Sequence, residues 1–355
     1  MTGDIIYELG GKEKLEEAYK NNLQWIINSF IANDYQGSST YSNVFGNFSS
    51  PYLETTGYLI PTLIEATDYF SDIRYSDIAH RQTSFFKKYQ NPNGSFYQSI
   101  DNPEPIVFDS SQILLGLCKL YESKQSEALQ AMISGCTLWL YALLDSNGAF
   151  TNYNYGNHTS PSYYSRIYWP MLLGKKIIGD NEVDKIITGL DRVTGSQHEN
   201  YSFPNWSFDE NESALTHTIA YTLRGLLECG QLLKSDDITK SAQNTIHKIA
   251  QLIIRKGAVS ATYDYDWQSK DNYTCAAGNA QLAILMLRSE LSVELKNRAL
   301  RILLKPLLDR QKKSGANKGA ISSSIPIWGK YQRFKYTNWT QKFFADALYM
   351  LLLDQ

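Results

Sequence analysis

His217 and Tyr221 stand four residues apart in Thr216-His-Thr-Ile-Ala-Tyr221, so they share one face if this segment is helical. Imidazole is the usual general base near neutral pH, and a phenol beside it completes a proton-transfer pair. A second set consists of carboxyls: Glu54, Asp109, Asp264 and Asp266. Glycosidic cleavage uses two carboxyls, ~5–5.5 Å apart for retention or ~6.5–9.5 Å for inversion; any two of these four are candidates, and the sequence does not choose between them. A third set is cationic and amide: Arg166, Asn279 and Gln281 supply donors that neutralise an anionic substrate group.

Each candidate also has a structural alternative. His217 reads equally as a satisfied histidine near a helix start. Arg166 lies in Tyr163-Tyr-Ser-Arg-Ile-Tyr-Trp169 and can pair with an internal carboxylate. Asp109-Ser-Ser-Gln112 has the form of an N-cap with its capping-box partner. Tyr263-Asp-Tyr-Asp-Trp267 alternates two acids with three aromatics, denser than a solvated loop requires, which favours a ligand-facing role for Asp264 and Asp266.

The chain holds 25 Tyr, 14 Phe and 7 Trp. Most of these belong to the core, but Tyr and Trp also offer flat apolar faces with a polar tip, suited to stacking on sugar rings. Trp206, Trp267, Trp328 and Trp339 each fall near a different predicted helix entry. With Tyr58, Tyr164, Trp169, Tyr273 and Tyr336 they form the expected binding set.

Six apolar segments rich in small residues must position these groups. They begin at Glu54, Asp109, Tyr163, Thr216, Cys275 and Asn338, spaced 53 to 63 residues apart, a period that marks a helical array. Between them run six amphipathic stretches with apolar residues at three- and four-residue steps, near 12–33, 74–90, 124–144, 182–197, 236–255 and 293–311. The apolar helices form an inner ring and the amphipathic ones an outer ring. Neither end looks like a capping repeat, so the six hairpins close on themselves. The expected fold is all-α, a single (α/α)6 toroid over residues 1–355. Gln90-Asn-Pro-Asn-Gly-Ser-Phe96 and Leu144-Asp-Ser-Asn-Gly-Ala-Phe150 are two spellings of one turn. The longer loops arrive at the inner-helix N-termini and make one functional rim.

Charge and motifs exclude several classes. Net charge is −2 with no basic stripe, which argues against nucleic acid. No apolar run approaches the ~20 residues of a membrane span. The start carries no secretory pattern, and four scattered cysteines read as reduced thiols, so a cytoplasmic location is expected. Gly-rich phosphate loops and HExxH are absent, and no second rim cysteine joins Cys275 and His217 as a zinc set. No cofactor or metal is expected.

The stretches 54–63 (ETTGYLIPTL), 215–228 (LTHTIAYTLRGLLE), 276–284 (AAGNAQLAI) and 325–331 (IPIWGKY) resemble a family of toroid proteins encoded among bacterial capsule and O-antigen synthesis genes. The resemblance spans nearly the whole chain and implies the toroid and a polysaccharide setting. Polysaccharide lyases, unsaturated glucuronyl hydrolases, sugar epimerases and terpenoid cyclases share the wider architecture, which narrows function weakly. The expected substrate is a polysaccharide or uronate-containing oligosaccharide. Lysis or epimerisation would use His217 and Tyr221 at the C5 proton, with Arg166 and Asn279 on the carboxylate. Hydrolysis would use two of the carboxyls. A non-catalytic glycan-binding scaffold and an isoprenoid-handling toroid are the competing readings; the second is weakened by the absence of a DxDD motif.

Overall fold

A computed structural model describes residues 3–156, 159–209 and 212–354. A short helix α1 (Gly3–Glu8) precedes two concentric rings. The outer ring is α2 (Lys12–Ile31), α4 (Ile73–Lys88), α6 (Glu127–Ala142), α8 (Asp184–Gly195), α10 (Asp236–Lys256) and α12 (Val293–Arg310). The inner ring is α3 (Leu53–Phe70), α5 (Val107–Ser123), α7 (Ser165–Ile178), α9 (Thr216–Leu233), α11 (Ala276–Arg288) and α13 (Asn338–Leu353). Each inner helix packs on the next, and α13 packs on both α3 and α2, so the ring closes as the repeat requires. At the seam Asn22 donates to Gln341 at 3.0 Å, and Thr62 donates to Asp346 at 2.7 Å.

The two rings end their helices differently. Four outer helices carry side-chain N-caps: Asp72, Ser126, Ser235 and Ser292. The inner helices have none. At four of them the first N–H instead takes a carbonyl from the loop leading to another repeat: Val107 from Tyr153 (2.9 Å), Thr216 from Ala261 (2.8 Å), Ala276 from Ser323 (3.0 Å) and Asn338 from Thr40 (2.9 Å). At α7 the bond moves upstream, with Ser162 donating to Asn205 at 3.0 Å. The Asn338–Thr40 bond joins the last repeat to the first. Short antiparallel pairs reinforce the rim: β1 (Tyr41–Asn43) with β6 (Lys335–Thr337), β2 (Ala214–Leu215) with β3 (Thr262–Tyr263), and β4 (Thr274–Cys275) with β5 (Ser324–Ile325). The capping-box expectation for Asp109 is thereby corrected. Helix α5 begins three residues earlier than that cap implies, its N-cap is Ile106, and Asp109 sits in the first turn with its carboxyl free of capping.

The two matched turns fold alike. Gln90 bridges Phe96 and Leu144 bridges Phe150, with Gly94 and Gly148 at φ 94° and 68°. Small residues in the inner ring set the helix spacing. A β-carbon on Gly116 would collide with the Gly57 carbonyl oxygen, and one on Gly57 would stand 2.5 Å from the Ile113 Cα.

This contact yields a signed prediction. Gly→Ala inside a helix ordinarily stabilises by roughly 0.5–1 kcal/mol. Gly116→Ala should instead destabilise by roughly 1–3 kcal/mol through overpacking, read as a lower urea midpoint. An unchanged or raised midpoint would contradict the close approach of α3 and α5.

Candidate functional site

The bowl at the N-terminal ends of the inner helices is a cavity of about 500 Å³. Its walls are mainly aromatic: Tyr52, Tyr58, Phe108, Tyr155, Tyr221, Tyr331 and Trp339, with Phe208 at the edge. Glu54 and His217 are the buried ionisable groups that reach it besides the phenols.

Glu54 and Asp109 occupy the first turns of neighbouring helices α3 and α5, which brings together one pair of the four candidate carboxyls. Burial pushes the Glu54 carboxyl well above its ordinary pKa, and the charge of Asp109 pushes it further. The only described side chain that donates to it is Thr55, at 3.3 Å. Asp109 is fully buried behind two phenols. Tyr52 donates to one carboxylate oxygen at 2.6 Å and Tyr155 to the other. Burial raises Asp109 to about 6, while the Tyr155 and Tyr52 hydroxyls oppose the rise. The environments thus separate two similar groups: Glu54 at the cavity holds its proton more strongly than an ordinary carboxyl, and Asp109 behind it is an ionisable acceptor.

His217 and Tyr221 share a face of α9 as their spacing predicts, with ring centres 4.4 Å apart. Burial, and secondarily the Arg166 charge, lowers His217 to about 3, so its imidazole is neutral. Gln281 Nε2 stands 2.5 Å from its Nδ1. With the amide assigned in that orientation, Nδ1 accepts and the hydrogen sits on Nε2. Tyr331 approaches the same ring at 6.0 Å and accepts from Trp339 Nε1 at 2.8 Å.

The remaining sequence candidates scatter. Arg166, Trp169 and Gln281 line a second cavity of about 390 Å³ at the opposite end of the ring axis. Tyr221 and Phe343, packed 6.0 Å apart, stand between the two. Asn279 is buried and accepts from Thr274 at 2.7 Å. Asp264 closes a turn, its Oδ1 accepting from the Asp266 and Gln268 amides at 3.0 and 2.7 Å. Asp145 makes the same bonds to Asn147 and Ala149 in its own repeat. Asp266 is exposed on that turn. Trp267 packs on Trp206 at 5.4 Å and donates to the Asn200 carbonyl at 3.0 Å; both indoles are buried. Tyr164 is buried, and its hydroxyl accepts from the Tyr155 amide at 3.3 Å. Tyr273 packs over Gly329. Trp328, 63 % exposed, and Tyr336 line a surface groove outside the bowl. Glu54, Tyr58, His217, Tyr221 and Trp339 are therefore the candidates that face the bowl. Tyr52, Phe108, Tyr155, Phe208 and Tyr331 face it too, although the sequence did not single them out. Tyr52 lies two residues before Glu54 and Tyr331 ends the IPIWGKY stretch, so nearness to a candidate was their only signal. Among the described residues no three His, Cys, Asp or Glu side chains converge as metal ligands.

No protein-family model matches the sequence, and no curated protein sequence matches it. Solved structures do match the fold. An unsaturated glucuronyl hydrolase from Bacillus sp. GL1, described as responsible for glycosaminoglycan degradation, superposes with a TM-score of 0.73 at 13% identity, covering 94% of this chain and 96% of its own. A D-mannose isomerase gives 0.77 at 11% identity over 97% and 98%. An alpha-amylase from Clostridium perfringens gives 0.70 at 14% over 94% and 97%. The (α/α)6 toroid is thus the fold of this chain.

His217 sets a stability expectation. Its folded pKa lies below the ordinary value of 6.5, so the unfolded chain binds the proton first. This contribution is intact above about pH 6.5 and is lost as pH falls toward about 3. Between pH 6.5 and 4.5 the loss should be on the order of 2–3 kcal/mol. Denaturation midpoints of His217→Gln should fall less than those of wild type over that interval. Parallel curves would show that His217 is not buried as a neutral ring.

Proposed function

We propose that this chain is a carbohydrate-active enzyme that hydrolyses a glycosidic bond in a uronate-containing oligosaccharide or polysaccharide bound in the bowl. The observation that carries the reading is Glu54, a carboxyl whose hold on its proton is strengthened by burial and by Asp109, at the wall of an aromatic cavity of about 500 Å³. That volume lies in the range of small-ligand sites, and its phenol and indole walls suit sugar faces. The glycan enzymes of the same fold add support from architecture alone.

In this reading Glu54 donates its proton to the departing glycosidic oxygen. Water adds to the sugar carbon, and its proton passes to a Tyr52 or Tyr155 hydroxyl as that hydroxyl delivers its own to Asp109. Asp109, at about 6, is ionised near neutral pH and can receive it. Bond breaking at the anomeric carbon is thereby matched by one proton given and one taken. His217 presents an Nε2–H donor to the bowl in the tautomer that Gln281 favours, which suits binding a sugar hydroxyl or oxyanion better than abstracting a C5 proton. We place the activity in bacterial polysaccharide metabolism of the capsule or O-antigen kind and in the cytoplasm. Four buried free thiols support a reducing compartment.

Glu54→Gln should lower turnover of a cleaved uronate oligosaccharide by roughly 10²–10⁴-fold with binding retained. Activity should fall on the alkaline limb, as Glu54 loses its proton. Reducing-end release by wild type, without new absorbance at the unsaturated-uronate band, would agree with hydrolysis. New absorbance that vanishes in Tyr221→Phe but persists in Glu54→Gln would replace this reading with elimination by the His217–Tyr221 pair.

A further inference from the structure

The second cavity shares no lining residue with the bowl. It reaches solvent past the Lys119–Glu122 pair, 3.9 Å apart, and exposed Leu232. Inside that mouth four cations face three acids. Glu228 accepts from Arg224 Nε at 2.6 Å and lies 2.8 Å from Arg288 Nη2. Asp346 pairs with Lys342. Burial, then the Asp346 charge, raises Glu65 to about 7, so near neutral pH it is only partly ionised.

Arg166 is left over. Its side chain is 3 % exposed, and no described carboxylate lies within ion-pair distance of it. Its Nε donates to Gln112 Oε1 at 3.0 Å, and no described residue accepts from its terminal nitrogens. The guanidinium is fixed by rings: Tyr221 at 4.9 Å, Trp169 at 5.4 Å and Phe343 at 5.8 Å from Cζ. Trp169 also holds Arg224 at 5.3 Å, so one indole sets two cations around the cavity. Taking a charge out of water without a counter-charge costs several kcal/mol. A planar guanidinium with a free fork is the geometry that recognises a carboxylate or phosphate through two parallel bonds.

We propose that this second cavity is a binding site for a small oxyanion, a carboxylate or phosphate carried on a compact apolar body. The anionic group meets the free edge of Arg166, with Arg224 and Lys342 beside it. The body lies against Leu115, Leu173, Ile284 and Met350. The site is distinct from the bowl, although Arg166 backs onto Tyr221 and Gln281 bonds His217, so an occupant would share a wall with the bowl.

The test is calorimetric titration of the full chain with inorganic phosphate and, separately, with D-glucuronate. Leu173→Trp fills the cavity from its side wall and Arg166→Gln removes the charge; circular dichroism establishes which variant is folded. At least one probe should bind wild type, and every folded variant should weaken it tenfold or more. Trp339→Ala, at the wall of the bowl, should leave this binding unchanged, whereas a probe held in the bowl would lose affinity, which separates the two cavities. Phosphate alone binding identifies a phosphorylated ligand, and glucuronate alone a carboxylate. Failure of both probes on wild type, or wild-type affinity in a folded Leu173→Trp or Arg166→Gln, overturns the assignment.

Discussion

A backbone N–H at the start of an inner helix has no partner within its own helix. In this chain the partner comes from another repeat: Val107 takes Tyr153, Thr216 takes Ala261, Ala276 takes Ser323, and Asn338 takes Thr40. An inner helix is therefore finished only when a neighbouring loop is in place. Helix α3 is entered instead through Tyr52 N–H on Ser38 of its own loop, and the bond of the last helix runs back to that same loop, at Thr40. This makes the toroid cooperative in a way that an open solenoid with capping repeats is not. It also frees the polar side chains of the inner first turns. The outer helices spend Asp72, Ser126, Ser235 and Ser292 on capping, while Glu54 and Asp109 remain available.

The freed groups sit at a lumen walled largely by aromatic rings. Desolvation acts on each according to the charge it would carry. Glu54 resists losing its proton and His217 resists gaining one, which leaves the imidazole neutral. Asp109 rises less because two hydroxyls solvate it in place of water. A single structural cause thus gives an acid, a neutral donor and an acceptor within one bowl. It does so without a described ion pair among them, which would have held the carboxyls ionised.

How far the sequence revealed this follows from what each feature depends on. The rings were legible because helical periodicity, repeated six times, and the recurrence of one turn are local properties. The His217–Tyr221 pair was legible for the same reason, since i and i+4 on a helix fix a face. Asp264 was opaque because composition does not distinguish a turn-closing carboxyl from a ligand-facing one. Its aromatic neighbours serve the packing of Trp267 on Trp206, and its own role is that of Asp145 two repeats earlier. Asp109 was read as a possible cap because cap identity depends on where a helix begins, and Tyr153, 46 residues downstream of Val107, decides that. Tyr52, Tyr155 and Tyr331 arrive on loops whose paths only the closed rim defines.

The lumen divides because each inner helix turns the same face to the axis along its length. On α9 the series is His217, Tyr221, Arg224, Glu228; on α13 it is Trp339, Phe343, Asp346, Met350; on α3 it is Glu54, Tyr58, Pro61, Glu65. The first position of each meets the bowl. The second is aromatic, and Tyr58 and Tyr221 each lie 6.0 Å from Phe343. The later positions carry most of the charge. Three helices in register therefore build an apolar floor, with near-neutral chemistry above it and ion pairs below. Arg166 interrupts the pattern, because α7 places a cation beside the floor where its neighbours place rings. Its charge is felt on both sides, lowering His217 above and exceeding the local acids below. The floor insulates two compartments by its shape while one guanidinium couples them by its field.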